Sequence, residues 1–484
     1  MKLFTNSLLS FAPTAVGVVT SIVTVPLFLS LVGAERYGAF LIGLVLLGYF
    51  GRADFGLGRA ITQRLSSNTG ASAEERASIV WSALVGGTFI AVAGAIAIAV
   101  AVHIFFGYFF EADPVVKAEA LRAGWLFALC VPVIIYTGVS VGALAGLERF
   151  GMVSFATTTG NLLSQVLPLV VAAVHSVDLS WLLGASLLGR FLGLILTMGS
   201  MWSAFLYRQR LVVSRDQLGR LFSYGSWIMV TSVVGPLMII SDRLVIGAAV
   251  GAAAVVAYSV PYQIASRTAL LPNSVAMALF PRLASQSPEQ SHALSRNSLI
   301  IVGQIYSFIV VGLICLAEPL LVLWLGDALD PQSILIGQII TIGFWTNAIA
   351  YVPFALIQAG GNSRFTAIMH VAELPIYLVM LFGFGLTLGL YGVAIAFALR
   401  TTLDCLALLI KARLADRTVF GPLVGPAVVI ALALAISPWT GTWLAGVAAS
   451  TVLCTLLLVI CWVQMPGDIK QVLVARLAAF SAKR

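Results

Sequence analysis

Ten charged side chains lie inside long apolar stretches of this 484-residue chain: Arg52, Asp54, Arg59, Arg190, Asp242, Arg243, Arg267, Glu373, Arg400 and Asp404. A charge at the centre of a membrane helix costs roughly 2.5–3.5 kcal/mol on insertion scales, so each should face a bundle interior or a wet cavity. Six are basic and four acidic. A net positive interior favours an anionic group, and arginine can hold phosphate oxygens through two parallel hydrogen bonds. At a rise of about 1.5 Å per helical residue, Arg190, Arg267 and Arg400 fall near the middle of their stretches. Arg52 falls in the inner half, Arg59 near the inner interface, and Asp242 with Arg243 near the outer end.

Internal pairing competes with a binding role. Arg400 and Asp404 stand four apart on one helix and can neutralise each other. His370 and Glu373 stand three apart, share a face, and form either a proton-titrating pair or an ordinary polar contact. Arg190 and Arg267 have no acidic residue on their own helices.

The elements that must position these residues are apolar and long. Of all residues, 60% are hydrophobic and 10% charged, against about 25% charged in a soluble domain. That composition excludes a water-soluble fold, disorder and a disulfide-stapled module. The stretches are apolar all round, which excludes a membrane β-barrel, whose strands alternate. A spanning helix needs about 20 residues. Fourteen stretches qualify, near 8–32, 37–63, 77–107, 121–146, 150–174, 179–206, 220–246, 252–281, 297–317, 333–359, 365–386, 389–411, 423–438 and 442–464. The expected fold is therefore all-α and polytopic, with about 14 transmembrane helices.

Loop charge orients them. With both termini cytoplasmic, eighteen Lys and Arg residues fall in the inner loops and tails, against Arg36, Lys117 and Arg122 outside. This positive-inside bias accounts for the net charge of +8 without a nucleic-acid partner. The five cysteines lie in apolar runs without metal-ligand spacing, and no P-loop, nucleophile elbow or metal-ligand cluster is present. No catalytic residue, metal or cofactor is expected. A weak repeat of about 210–220 residues relates Ala143–Gly146 with Arg149–Phe150 to Leu356–Gly360 with Arg364–Phe365. It also relates Trp181 and Arg190 to Tyr391 and Arg400. An even number of helices per repeat makes the halves parallel. The organisation is a six-helix lobe over 1–212, a second over 213–417, and an extra helix pair with a tail over 418–484.

Four local patterns carry a resemblance. They are Leu31–Gly38 with its Tyr37–Gly38 end, Asp54–Phe55–Gly56–Leu57–Gly58 running to Gln63–Arg64, Ser241–Gly247 followed by Ala257–Tyr258–Ser259, and Leu279–Phe280–Pro281–Arg282–Leu283. Together they resemble, in order, motifs of the bacterial O-antigen and exopolysaccharide flippases of the multidrug/oligosaccharidyl-lipid/polysaccharide superfamily. The resemblance implies two six-helix lobes around a central cavity that opens alternately to either side. It implies an undecaprenyl-diphosphate-linked oligosaccharide as cargo, passed from the cytoplasmic to the periplasmic leaflet of the inner membrane. The extra helix pair departs from the twelve-helix members and resembles the peptidoglycan-precursor flippases.

On this reading Arg52, Arg190, Arg267 and Arg400 bind the substrate, and Asp54, Asp242, Arg243, His370, Glu373 and Asp404 serve coupling or gating. Expected partners are the lipid-linked oligosaccharide, membrane lipid, a coupling ion (proton or sodium) and polysaccharide assembly proteins. A cation-coupled multidrug antiporter of the same superfamily is the alternative, and the six-to-four charge count disfavours it. A membrane glycosyltransferase or polymerase would want a long periplasmic loop, which the spacing does not provide.

Overall fold

The computed structural model describes residues 2–52, 57–67, 70, 72–219, 237–238, 240–464 and 470, apart from the side chains of 2–12, 47–52 and 67. Every regular element among them is helical. In chain order these are α1 (Lys2–Arg52), α2 (Leu57–Ser67), α3 (Ala73–Ile104), α4 (Pro114–Arg122), α5 (Gly124–Gly146), α6 (Phe150–Val174) and α7 (Leu179–Met201). A helix over 240–249, α8, precedes α9 (Ala252–Thr268), α10 (Leu270–Ser285), α11 (Pro288–Cys315) and α12 (Ala317–Leu325). The chain then forms α13 (Gln332–Ala359), α14 (Ser363–Lys411), α15 (Arg417–Ile436) and α16 (Trp443–Gln464).

Ten helices among the described residues are long and apolar enough to cross a membrane. The protein is an all-α, polytopic membrane protein. Two of the ten hold more than one expected span. The 49-residue α14 covers the stretches 365–386 and 389–411, and the 51-residue α1 covers 8–32 with the start of 37–63. Each changes direction at a glycine: Gly33 has φ +78° and Gly389 φ +59°, a left-handed conformation that glycine adopts without steric cost. The expected stretch 252–281 is broken instead, with α9 ending before Ala269 and α10 starting after it. Much of 220–246 lies outside the described residues.

Contacts divide the chain into two compact units, Met1–Val256 and Ala257–Arg484. The first unit extends past residue 212 because α8 is tied back to it. The Glu111 N–H donates to the Gly247 carbonyl, and the Ala252 N–H to the Glu111 carbonyl, both near 3.0 Å. Within this unit α2, α3, α5, the end of α7 and the helical turn after it share a core of Leu57, Ile61, Ile79, Val80, Val139, Leu144, Met201 and Phe205. In the second unit α11 packs against α13 and α15, and α15 against α16.

The sequence repeat has a structural counterpart. After α5, Glu148 takes φ +57° and the Arg149 N–H donates to the Leu144 carbonyl at 3.0 Å; after α13, Gly361 takes φ +79° and Asn362 donates to Ile357 at 3.1 Å. Both are the same Schellman-type helix ending. Helix starts follow ordinary capping chemistry: Ser72, Asp113, Asp178, Ser287 and Asp416 each accept a backbone N–H from the turn that they open.

Asp416 is the most fully used of these caps. It accepts from the Thr418 and Val419 backbone N–H groups at 2.9 and 3.1 Å and from the Thr418 hydroxyl at 2.6 Å. These bonds, the Thr418 hydroxyl first, hold its carboxyl below the ordinary aspartate value. Replacing Asp416 by Ala should lower stability by about 0.5–2 kcal/mol at neutral pH. Because the folded value is depressed, the deficit is present above the ordinary aspartate value of about 3.9 and shrinks as pH falls through the lowered one. Thermal unfolding of D416A beside the wild type at neutral and acid pH checks both statements.

Candidate functional site

The first unit contains a cavity of about 420 Å³ between α2, α5, α6 and α7. Small residues line it from all four helices, Gly58, Gly138, Gly142, Gly160 and Gly193, and three of them let helices approach closely at its wall: a methyl group on Gly142 would meet Gly58, and one on Gly160 or Gly193 the other's backbone. Arg59 enters from α2 and Arg190 from the middle of α7, with Asn161 and Thr157 from α6. Among the described residues no acidic side chain lines it. Thr62, Thr137, Thr157 and Thr197 each donate their hydroxyl to a carbonyl four residues back on their own helix, so those donors are already engaged. The Arg190 Nε–H is buried and has no hydrogen-bond partner. Two guanidinium groups, with no carboxylate among the described lining residues, make the cavity complementary to an anion.

The second unit gathers charge differently. The two arms of α14, joined at Gly389, bring His370 and Glu373 of the first arm against Arg400 and Asp404 of the second. His370 Nε2 lies 3.7 Å from Asp404 Oδ1, and Arg400 Nη1 lies 3.7 Å from Glu373 Oε1. An imidazole nitrogen and two carboxylate oxygens come within 4.8 Å of one another, a convergence that the sequence spacing did not offer. The Arg400 guanidinium also lies over the Tyr377 ring at 5.1 Å, and the His370 ring stacks on Phe354 of α13 at 6.0 Å.

Of the four arginines expected to bind substrate, the structure brings Arg190 to the cavity and Arg400 to the α14 cluster. Arg267 is exposed near the end of α9 and lines neither. The Arg52 side chain and the whole of Asp54 lie outside the described residues. Asp242 and Arg243 are buried on α8, with Arg243 Nη1 3.9 Å from Asp242 Oδ2. Beside the contacts within each arm, the fold-back adds ion pairs between the arms: Arg400 lies 3.7 Å from Glu373, and His370 lies 3.7 Å from Asp404.

Sequence reasoning left Arg59 at the inner interface and passed over Asn161 and Thr157. A signal was present: Thr157 and Asn161 stand four apart on one face of α6, within the polar run Thr157–Thr158–Thr159–Gly160–Asn161. The Tyr37–Gly38 element proves to be a packing device. Tyr37 is buried against Phe28 at 5.4 Å, and a methyl group on Gly38 would stand 1.8 Å from the Ala252 carbonyl oxygen.

Residues 5–287 match the profile of a family described as "Polysaccharide biosynthesis protein". A Shigella flexneri protein named "Putative O-antigen transporter" is 27% identical over 383 residues, covering 78% of this chain and 89% of that protein. Among solved structures, the lipid II flippase MurJ in an inward closed conformation superposes with a TM-score of 0.73 at 17% identity, over 95% of this chain and 98% of that one. An inward-facing multidrug resistance MATE family transporter of the MOP superfamily gives a TM-score of 0.67 at 17% identity, over 83% and 97% respectively.

Proposed function

The chain belongs to the polysaccharide biosynthesis protein family, and from that premise we propose that it is a flippase for an oligosaccharide linked to undecaprenyl diphosphate. It moves an O-antigen or exopolysaccharide repeat unit from the cytoplasmic to the periplasmic leaflet of the inner membrane by alternating access, with both termini in the cytoplasm. No covalent bond is made or broken. The observation that carries this reading is the cavity of the first unit, lined by Arg59 and Arg190 and, among the described residues, by no carboxylate. Such a wall attracts a diphosphate and repels a cationic drug. Asn161 and the small residues around it leave room for sugar hydroxyls beside the charged group. The name of the Shigella flexneri relative and the shared fold support a transporter of this kind.

The test uses purified full-length protein in vesicles that contain a fluorescent undecaprenyl-diphosphate oligosaccharide. Label placed on one leaflet should become accessible to a membrane-impermeant quencher on the other, faster than in protein-free vesicles. Movement of a cationic drug in place of the labelled lipid would turn the assignment to multidrug antiport. Movement of neither would overturn the reading.

A further inference from the structure

We infer that residues 207–215 of the first unit, which follow the helical turn after α7, dock on anionic phospholipid headgroups at the membrane surface. Residues 209–214 form neither helix nor strand, so their backbone carries polar groups that hydrocarbon cannot satisfy. Their side chains are nevertheless apolar and uncovered: Leu211, Val212 and Val213 are 64%, 49% and 38% exposed, and Tyr207 is 61% exposed. Contiguous exposed apolar side chains mark an interaction surface. The bilayer interface covers such side chains while its headgroup layer still hydrates the backbone.

The segment is held at that level. The Ser214 N–H donates to the Ser82 hydroxyl of α3 at 3.1 Å, and the Arg64 Nε–H of α2 donates to Gln217 Oε1 at 3.2 Å. Beside Ser82, Trp81 meets Trp202 edge to face at 5.6 Å, and tryptophan collects where membrane meets water. Charge then selects the lipid. Arg208, Arg210 and Arg215 are exposed, and none is in an ion pair among the described residues. Asp216 is the acidic residue of the same stretch, and Glu74 with Glu75 opens α3 about two turns before Ser82. The Arg208 guanidinium lies over the Tyr207 ring at 5.2 Å, so one side chain offers the charge and the other the amphipathic ring. A guanidinium holds phosphate oxygens through paired hydrogen bonds, and a net negative surface draws basic segments to it. The inference holds whatever the cargo is.

The N–H groups of Leu211, Val212 and Val213 make no hydrogen bond among the described residues, so their exchange with deuterated water reports what covers them. The experiment is hydrogen–deuterium exchange on the full wild-type chain in vesicles of phosphatidylcholine, with and without phosphatidylglycerol. Each arginine favours an anionic surface roughly 5-fold. Exchange at these residues should therefore slow by roughly 10-fold or more when phosphatidylglycerol is present. Inorganic phosphate added to phosphatidylcholine vesicles should not slow it. R208Q/R210Q/R215Q, three changes at exposed side chains, should exchange alike in both vesicles, with thermal unfolding showing that it is folded. Equally fast exchange of the wild type in both vesicles overturns the proposal, because nothing then docks. Equally slow exchange in both overturns it too, since protein or neutral lipid then covers the segment. Slowing by phosphate alone would make it a site for a soluble anion, and slowing that survives in the folded triple variant would remove the arginines from it.

Discussion

Replacing Arg59 and Arg190 together with Gln should abolish glycolipid translocation while leaving the protein folded. Each charge-assisted contact to a phosphate oxygen is worth about 1.5–3 kcal/mol. Losing two removes about 3–6 kcal/mol, or roughly 10²–10⁴-fold in binding. Either single substitution should cost roughly 10–100-fold, and R190Q the more, because the buried Arg190 Nε–H has no protein partner to fall back on. Stability should not suffer, since both arginines line a cavity in which no carboxylate stands among the described residues. The checks are complementation of polysaccharide export in a strain lacking its own transporter, the vesicle assay, and the unfolding midpoint. Export at the wild-type level with the double variant normally produced would remove the cavity from the binding machinery.

The second large effect is expected at Gly142, where packing and function share one residue. A methyl group there would stand 2.3 Å from the Gly58 carbonyl oxygen and 2.6 Å from the Ile61 side chain. Backbone cannot step aside as a side-chain tip can, so α2 must move away from α5. The Thr62 hydroxyl is shared between the Gly58 carbonyl of its own helix and, across this seam, the Gly142 carbonyl, each at 2.8 Å, and the cross-seam contact is lost with it. Overpacking typically costs 1–3 kcal/mol, about that for G142A and more for G142V. Because α2 carries Arg59, displacement also widens the cavity and withdraws one of its two charges. Both variants should therefore lower the unfolding midpoint and the transport rate together. G199A is the control: nothing lies within 4 Å of the added methyl on α7, and alanine favours the helix by up to about 1 kcal/mol. If G142V unfolds and transports like the wild type, the α2–α5 seam is not what holds the cavity open.

Much of this was legible in the chain before any coordinates. The scarcity of charge and the apolar runs determined an all-α membrane protein, and several helix bounds follow from them closely: α6 occupies the expected 150–174, and α16 ends at Gln464. The four motifs indicated the family that the profile match shows. Arg190 could be singled out because a lone charge in an apolar helix is costly wherever it points.

What tertiary structure alone decided is which charge meets which. Helical spacing offered Arg400 to Asp404 and His370 to Glu373; the turn at Gly389 adds the pairs between the arms. Arg59 reaches the same cavity as Arg190 because glycines on α5, α6 and α7 let the helices that carry them pack closely around it. The reason is physical. In a soluble helix an apolar stripe shows which face is covered, but a membrane helix is apolar on its lipid face as well as its packed face. Composition therefore says that a helix spans and leaves open which neighbour it packs against. That choice rests on small residues, a few hydrogen bonds and the direction of each turn, which acquire meaning only when the helices are set side by side.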